Sequence, residues 1–510
     1  MRVTTRRLAA LASAALVLAP VFPALAEGKR TERDVFGPHL SGTRTRQHAD
    51  HKKPSSTDPI RHWNAIAIDA AGLDHTPVAD GEDRVFGEQI GPGRSSRAMA
   101  IVHVAIFEAV NAIEGGYRSW LGLPRARTDT SLQAAVAQAA HDTLVELYPS
   151  QAEAFDEQLD HDLARVGDRR ARARGVELGR AAAAAILARR AQDGSHHAEP
   201  LYGVDYVPGD APGIWRQDPI SLIPLVLGAH WGELEPFVLG SAADFRTPPP
   251  PALASPEYAA AFAEVKALGG DGVNTLTLRT PAQTETGTFW AYDGTPSLCA
   301  PPRLYNQIAV QVATRKRTGM VDLARLLALV NVAMADAGIA AWESKYFYDY
   351  WRPVTGIREA DPGTGPTGLG DGNADTIGDP GFHPLGAPAS NLAGVDFTPP
   401  FPAYPSGHAT FGGALFQTLR RFYGTDRIPF TFVSDEFNGV TLDSEGNPRP
   451  LRPRSFRSLS QAEEENGQSR IYLGIHWSFD KTEGIVQGRA VADAVFDALY
   501  RPVKRTKKRR

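Results

Sequence analysis

The sequence predicts an all-α protein built from two helical bundles. Three observations lead to this prediction: apolar residues recur with helical spacing through most of the chain, no convincing alternating strands join these segments, and a proline-rich break at 247–252 divides them. With 510 residues and 42% apolar content, the chain is long enough for two such units and can bury sizeable cores.

The N-terminal bundle is predicted within residues 61–246. Four segments with helical apolar spacing follow one another within a short stretch, which is typical of a bundle. These segments are Arg97–Ile113, Ser131–Tyr148, Gln151–Val166 and Arg169–Asp193.

The C-terminal bundle is predicted within residues 253–500. Residues 361–400 are rich in Gly, Pro and Asp and are expected to form an excursion over its surface, and Pro429–Val433 favours a short strand. The predicted helices of this bundle are Pro256–Leu268, Arg303–Arg315, Met320–Trp351, Gly407–Tyr423, Ser460–Tyr472 and Thr482–Leu499.

The two ends of the chain have compositions of their own. Residues 1–26 have the pattern of an export signal peptide, in which arginines precede an apolar run and Ala24–Ala26 offers a small-residue cleavage site. The Arg6–Arg7 pair permits the twin-arginine route, so we expect a periplasmic or secreted protein. Residues 27–60 are predicted to be a loose polar leader, and residues 501–510 a solvated basic tail. No other stretch is predicted to cross a membrane, and neither a membrane nor a nucleic acid is an expected partner.

Charge and cysteine content exclude several classes of site. The formal net charge of −4 hides a more acidic body, because the signal carries three arginines and the tail seven cations. An anion site must therefore be built locally, without a general positive field. Cys299 is the only cysteine, so no intrachain disulfide forms. The chain lacks both the His-Glu-x-x-His pattern of zinc hydrolases and the Gly-x-Ser-x-Gly elbow of serine hydrolases.

Two clusters of polar residues suggest an anion site at the end of the C-terminal bundle. Lys345 and Arg352 are seven residues apart, about 700° of helix, so they are predicted to share one face of the long helix, with Arg352 at its end before Pro353. Ser406, Gly407 and His408 precede the next predicted helix, whose free N–H groups favour an anion. Ser406 also suits an ordinary N-cap.

A third cluster contains Arg470, His476 and Asp480. An ideal helix would set Arg470 and His476 about 120° apart, and Gly474 is predicted to break the helix so that both converge. Asp480, with Glu483 three residues later, favours an N-cap box of the last helix over direct catalysis. Three cations, backbone donors and two imidazoles together suit a compact tetrahedral oxyanion, either phosphate or vanadate.

The three clusters, taken in order, resemble the vanadium-dependent haloperoxidases and the type 2 phosphatidic acid phosphatase superfamily that shares their oxyanion pocket. The shared patterns are Lys-x6-Arg-Pro, Pro-Ser-Gly-His and Ser-Arg-x5-His-x3-Asp, and all are present here. Each pattern is weak alone, whereas the ordered set is specific.

The resemblance implies a role for each matching residue. His476 would bind vanadium, His408 would act as acid–base, Lys345 would assist catalysis, and the carboxylate of Asp293 would hold the arginines. Without the resemblance, Asp293 before a glycine is a common turn residue. The implied vanadate-binding set is Lys345, Arg352, Ser406, Gly407, His408, Arg470 and His476.

Further features favour a peroxidase of the chloroperoxidase type over an acid phosphatase. Sixty-one residues separate His408 from Arg470, a wider gap than is usual in the phosphatases. The chain is also predicted to be exported and to form two bundles, whereas the lipid phosphatases of the superfamily generally span membranes. Trp342 and Phe401 match aromatic positions on the halide side of the chloroperoxidases, and Phe401 stands where bromoperoxidases usually carry histidine. The implied substrates are hydrogen peroxide and a halide, with room for a small organic acceptor.

Two alternatives stay open on the sequence alone. In an exported acid phosphatase of the same superfamily, His476 would be the nucleophile and His408 the proton donor to the leaving group. A non-catalytic oxyanion-binding protein has less use for an imidazole on each side of the anion. Nothing in the sequence indicates the oligomeric state or the preferred halide.

Overall fold

The computed structural model describes residues 31–40 and 57–503, and within them it confirms the all-α prediction. The predicted signal peptide, residues 27–30 and 41–56 of the leader, and residues 504–510 of the tail lie outside the described residues. The helices are α1 (Glu32–Phe36), α2 (Pro59–Asp74), α3 (Gly91–Glu114), α4 (Leu132–Leu147), α5 (Ala152–Ala164), α6 (Arg169–Arg190), α7 (Pro256–Leu268), α8 (Pro281–Phe289), α9 (Pro301–Arg315), α10 (Met320–Tyr348), α11 (Pro353–Arg358), α12 (Gly407–Tyr423), α13 (Leu459–Tyr472) and α14 (Ser478–Ala498).

Two long apolar helices form the centre of the protein. Helix α3 packs against α4, α6 and α10, and α10 also packs against α12 and α14, so both bundles contribute to one hydrophobic core. By length and composition α3 and α10 could each cross a bilayer, contrary to the prediction that no such stretch follows the N-terminal run. The apolar stretches of both are fully buried by neighbouring helices, as expected for core helices.

The close packing of α14 on α12 brings the last helix against the start of the helix that carries His408. Gly484 and Gly488 of α14 face Ser406 and Thr410, and Gly413 of α12 faces Ile485. A Cβ atom at Gly484 would lie 2.8 Å from the Ser406 carbonyl oxygen, and one at Gly488 would overlap that of Thr410. The small residues therefore let the two backbones approach closely.

We expect Gly488→Ala to destabilise the fold by about 1–3 kcal/mol, because the methyl group has to push the two helices apart. The free energy of unfolding in urea measures this loss. The matched control is Gly167→Ala, since a Cβ there meets nothing within 4 Å. A Gly488→Ala protein as stable as the control would contradict the close packing.

Several boundaries differ from the sequence prediction. The long helix ends at Tyr348 and not at Trp351, because Pro353 requires extended backbone before it and Asp349 turns the chain in the left-handed conformation, with φ +48°. Helices α2, α8 and α11 were not predicted, and α8 and α11 are too short for a clear periodicity. Part of the leader is ordered, since residues 32–36 form α1.

A small antiparallel sheet flanks the C-terminal bundle. Strand β1 (Phe430–Phe432) confirms the short strand predicted at Pro429–Val433, and it pairs with β2 (Arg454–Phe456), so that Phe430 faces Phe456. The residues between the strands include a short 3₁₀ helix, 435–437, which contacts the loop after α8.

Candidate active site

Lys345 and Arg352 meet at the end of α10, although they do not share one helix. Lys345 lies in the last turn of α10, whereas Arg352 is the extended N-cap residue of α11. The turn at Asp349 reverses the chain between them and directs both side chains inward, and both are fully buried. The predicted shared face of one long helix is therefore wrong, because α10 ends at Tyr348 and Arg352 belongs to the start of α11.

Both cations bind the chain that precedes α12. Lys345 Nζ donates to the carbonyl oxygens of Pro402 and Ala403 at 2.8 and 2.9 Å, and Arg352 Nε donates to that of Phe401 at 2.9 Å. In its ammonium form Lys345 has three N–H groups and would keep one further donor. These bonds fix the segment that leads into the Ser406–Gly407 turn.

The turn at Ser406 begins α12. Its hydroxyl caps the helix by accepting from the Ala409 N–H at 3.4 Å, as in the ordinary N-cap interpretation, and its own N–H donates to the Asp480 carbonyl at 3.0 Å. A Cβ atom at Gly407 would lie 3.2 Å from the Trp342 ring, so glycine allows that ring to pack on the turn.

The imidazole of His408 is held mainly by the carbonyl group of Ala291, with a further backbone interaction at Trp290. Its Nε2 lies 2.6 Å from the Ala291 oxygen, which can only accept, so Nε2 carries the proton and Nδ1 is left as the basic nitrogen. Its backbone carbonyl accepts from Tyr305 Oη and Asn466 Nδ2 at 2.8 and 3.0 Å. These contacts fix both the ring and the first turn of α12.

His476 follows the break that Gly474 makes after α13, where φ is +73°. Its Nδ1 donates to Asp480 Oδ2 at 2.8 Å, and its Nε2 accepts from Arg352 Nη1 at 3.1 Å. The N-cap interpretation of Asp480 is wrong: Trp477 is the N-cap of α14, and Asp480 occupies the third position, where it accepts from the Trp477 N–H at 3.0 Å. The carboxylate therefore sets the tautomer that leaves a lone pair on Nε2.

Arg470 and Asp293 form a buried bidentate pair. Arg470 Nη2 lies 2.7 and 2.9 Å from the two oxygens of Asp293, and neither side chain is exposed by more than 4%. Asp293 Oδ1 is also 3.9 Å from His408 Nε2. Asp293 is thus part of the site and not a surface turn residue.

A largely apolar cavity opens onto these groups. The cavity wall includes Asp293, Gly407, His408, Arg470 and His476, and its lining does not include Lys345, Arg352 or Ser406. The rings of Trp342 and Phe401 line the cavity with centroids 4.9 Å apart, and Lys345 Nζ is 5.6 and 5.1 Å from those centroids. The remaining apolar lining includes Val35, Phe36, Leu225, Leu227, Phe397 and Phe411.

Burial and the neighbouring cations shift the pKa values of the groups in the site. Burial, then Arg352, hold the pKa of Lys345 well below its usual range, while burial lowers that of Arg352 to about 9, so the guanidinium stays charged at neutral pH. Burial, then the nearby cations, also keep the pKa values of His408 and His476 well below normal, so both rings are neutral. Burial raises the pKa of Asp480 to about 7.

The residues present fit a tetrahedral oxyanion such as vanadate. Arg352 Nη2, Arg470 Nε and Arg470 Nη1 are buried donors without a hydrogen-bond partner in the described structure. Unpaired buried donors are costly, and an anion would satisfy them while relieving the repulsion among the cations. His476 Nε2, which accepts from Arg352 Nη1 here, carries a lone pair of the kind that a metal centre can take as a nitrogen ligand.

Sequence reasoning missed several residues that position this site. Tyr305 and Asn466 hold the start of α12, and Glu436 holds the loop after α8, but each is far along the chain from its target and has no motif. Phe36, which lies in the predicted polar leader, also lines the cavity. The five-residue helix α1 around it is too short to give a clear signal in the sequence.

Several known proteins are similar to this chain. The family model of the VCPO second helical-bundle domain matches residues 325–505. The vanadium chloroperoxidase of Curvularia inaequalis is 32% identical over 519 aligned residues, which span 84% of this chain and 80% of that protein. Among solved structures, the first bacterial vanadium-dependent iodoperoxidase superimposes with a TM-score of 0.68 at 24% identity, over 88% of this chain and 99% of that one. A bacterial vanadium-dependent chloroperoxidase in its apo form gives 0.59 at 15% identity, over 80% and 94%.

Proposed function

The chain belongs to the vanadium-dependent haloperoxidases. We propose that it uses vanadate as its cofactor and oxidises halide ions with hydrogen peroxide to hypohalous acid. The reaction would take place in the cavity beside His408 and His476. The observation that carries the proposal is the set of unpartnered guanidinium donors on Arg352 and Arg470 around an imidazole lone pair. Such a set suits an anionic metal centre without a cage of metal ligands.

We propose that hydrogen-bond donors and one imidazole nitrogen hold vanadate. Arg352 and Arg470 would donate to its oxygens, with Lys345, Ser406 and the Gly407 N–H as further donors, and each charge-assisted bond contributes about 1.5–3 kcal/mol. His476 would supply its Nε2 to the metal, since Asp480 already holds the proton on Nδ1. When bound, vanadate supplies a Lewis-acidic centre that activates hydrogen peroxide toward halide without changing its own oxidation state.

The remaining residues handle the proton and exclude water. His408 is neutral with a basic Nδ1, so it can accept the proton that entering hydrogen peroxide gives up. Asp293 keeps Arg470 in place through two hydrogen bonds. Trp342 and Phe401 provide an apolar wall near the Lys345 ammonium, and we propose that the halide approaches along this wall.

Halogenation of monochlorodimedone with hydrogen peroxide and a halide, with and without added vanadate, tests the proposal. We expect halogenation that depends on vanadate and only feeble hydrolysis of p-nitrophenyl phosphate. Hydrolysis that vanadate inhibits, with no halogenation for any halide at any pH, would instead identify an acid phosphatase with His476 as nucleophile.

We also propose that the protein is exported from the cytoplasm. The arginine-rich start, the apolar run and the Ala24–Ala26 site of the sequence support export, with cleavage after residue 26. N-terminal sequencing of the protein recovered from the native host would locate the cleavage site, and a chain that retains Met1 in the cytoplasm would contradict export.

A further inference from the structure

A single peptide group connects His408 to a buried carboxylate outside the cavity. The Ala291 carbonyl accepts from His408 Nε2 at 2.6 Å, while the N–H of the next residue, Tyr292, donates to Glu436 Oε1 at 3.1 Å. The carbonyl and the N–H belong to the same planar peptide bond and point in opposite directions. An acceptor on the N–H side therefore orients the carbonyl on the other side, and it also polarises it.

The loop needs such an anchor because its backbone is unusual. Tyr292 adopts φ +48°, a left-handed conformation that residues with a side chain rarely adopt, and Gly294 has φ +87°. Strained backbone of this kind persists only where surrounding contacts impose it. Here the contacts come from the 3₁₀ segment 435–437 and its N-cap: Ser434 Oγ donates to the Phe289 carbonyl at 2.7 Å, and the Asp435 N–H donates to Tyr292 Oη at 2.6 Å.

Glu436 is itself rigidly held. It is fully buried, forms an ion pair with Arg449, and accepts from Ser390 Oγ at 2.6 Å, while Arg449 also donates to Ser390 at 2.7 Å. Burying a carboxylate costs desolvation free energy, and hydrogen bonds and an ion pair such as these offset that cost. Its Oε1 is thereby directed at the Tyr292 N–H.

The loop holds two groups of the cavity, its own Asp293 and the His408 ring of α12, and they differ in how much they depend on Glu436. Asp293 is fixed by its own bidentate contact with Arg470. The His408 ring donates to the Ala291 carbonyl at 2.6 Å and has a further backbone interaction with the neighbouring Trp290, so its orientation depends on this short segment. We propose that Glu436 is a positioning residue for halide oxidation, which fixes the tautomer and orientation of His408 through the Ala291–Tyr292 peptide. This inference rests on the proposed function, in which His408 accepts the proton of hydrogen peroxide.

The test is a double-mutant cycle of Glu436→Ala and His408→Ala in the full-length chain loaded with vanadate. We expect Glu436→Ala to lower kcat/KM for hydrogen peroxide by roughly 10–100-fold, as loss of an outer-sphere partner does. In the His408→Ala background the same change should have no further effect beyond about twofold, the usual error of additivity. Glu436→Met, which keeps much of the side-chain volume but offers no oxygen acceptor to the Tyr292 N–H, serves as the cycle's variant if Glu436→Ala folds poorly.

Vanadate binding, measured by calorimetry, separates positioning from general damage. Because Arg352, Arg470 and His476 keep their own contacts, vanadate affinity in Glu436→Ala should fall by less than tenfold, the lower end of a roughly 10–100-fold outer-sphere loss. The matched control is Asp193→Ala, another buried carboxylate paired with arginines, Arg97 and Arg190, which should lose stability while keeping its kinetics. Equal, additive losses in the two backgrounds, or a loss of vanadate affinity that matches the loss of rate, would overturn the assignment of Glu436.

The wild-type protein distinguishes this failure from failure of the proposed function. A chain that hydrolyses p-nitrophenyl phosphate and does not halogenate would refute halide oxidation, and the cycle would then be measured on hydrolysis, where His408 is again the proton-transfer group. A non-additive cycle there would still support the Glu436 contact. A wild-type chain with neither activity would overturn both proposals.

Discussion

Replacement of His476 by alanine is expected to abolish vanadate binding and halogenation while the fold remains intact. The lone pair of the His476 ring lies on Nε2, because Asp480 accepts the Nδ1 proton at 2.8 Å, and Arg352 Nη1 lies 3.1 Å from that nitrogen. Arg352 and Arg470 would still attract an oxyanion, but no nitrogen would bind its metal. We therefore expect a loss of vanadate affinity greater than the roughly 10–100-fold that removal of an outer-sphere partner causes.

Calorimetry with vanadate and the monochlorodimedone assay measure this loss, and urea unfolding reports on the fold. The control is His103→Ala, which removes another fully buried imidazole, from the core helix α3 and away from the cavity lining. That variant should lose stability through the space it leaves in the core, and still bind vanadate. A His476→Ala protein that binds vanadate as tightly as wild type would remove His476 as the ligand.

The sequence was sufficient to predict which residues converge at the site, but not how the backbone brings them together. The patterns around Lys345, Ser406 and Arg470 depend on residue identity and order, which the sequence displays directly. The path between Lys345 and Arg352 depends instead on where α10 ends. A helical periodicity continues through Trp351, whereas Pro353 and the left-handed Asp349 end the helix at Tyr348. The backbone conformations required before Pro353 and adopted at Asp349 therefore end the helix earlier than the apolar periodicity predicts.

The residues that the sequence could not predict act through long-range contacts. Glu436 lies 144 positions from Tyr292, and Asn466 lies 58 from His408, so neither pair forms a motif within one segment. Asp480 shows the opposite difficulty: its spacing to Glu483 favoured a cap of its own, but its carboxylate faces backwards to His476 and Trp477. A carboxylate near the start of a helix can cap that helix or accept from a neighbouring side chain, and the tertiary structure determines which of these contacts it makes.

The second large effect concerns the buried pair of Arg470 and Asp293. Arg470→Met should remove the partner of both Asp293 oxygens and also two donors, Nε and Nη1, which have no hydrogen-bond partner in the described structure. An uncompensated buried carboxylate costs about 3–5 kcal/mol, so we expect a large fall in the free energy of unfolding together with a loss of vanadate binding. Urea unfolding of the protein without vanadate and calorimetry with vanadate measure the two effects separately.

A compensating variant separates stability from binding. In Arg470→Met/Asp293→Leu no buried charge is left unpaired, and replacing a buried ion pair by apolar residues is often close to neutral. We therefore expect most of the stability to return, while vanadate affinity stays low because the donors of Arg470 are still missing. If the double variant regained wild-type affinity, Arg470 would serve only to neutralise Asp293. If Arg470→Met were already as stable as wild type, water or another cation would have to satisfy that carboxylate, and the enclosed site inferred from their contact would be wrong.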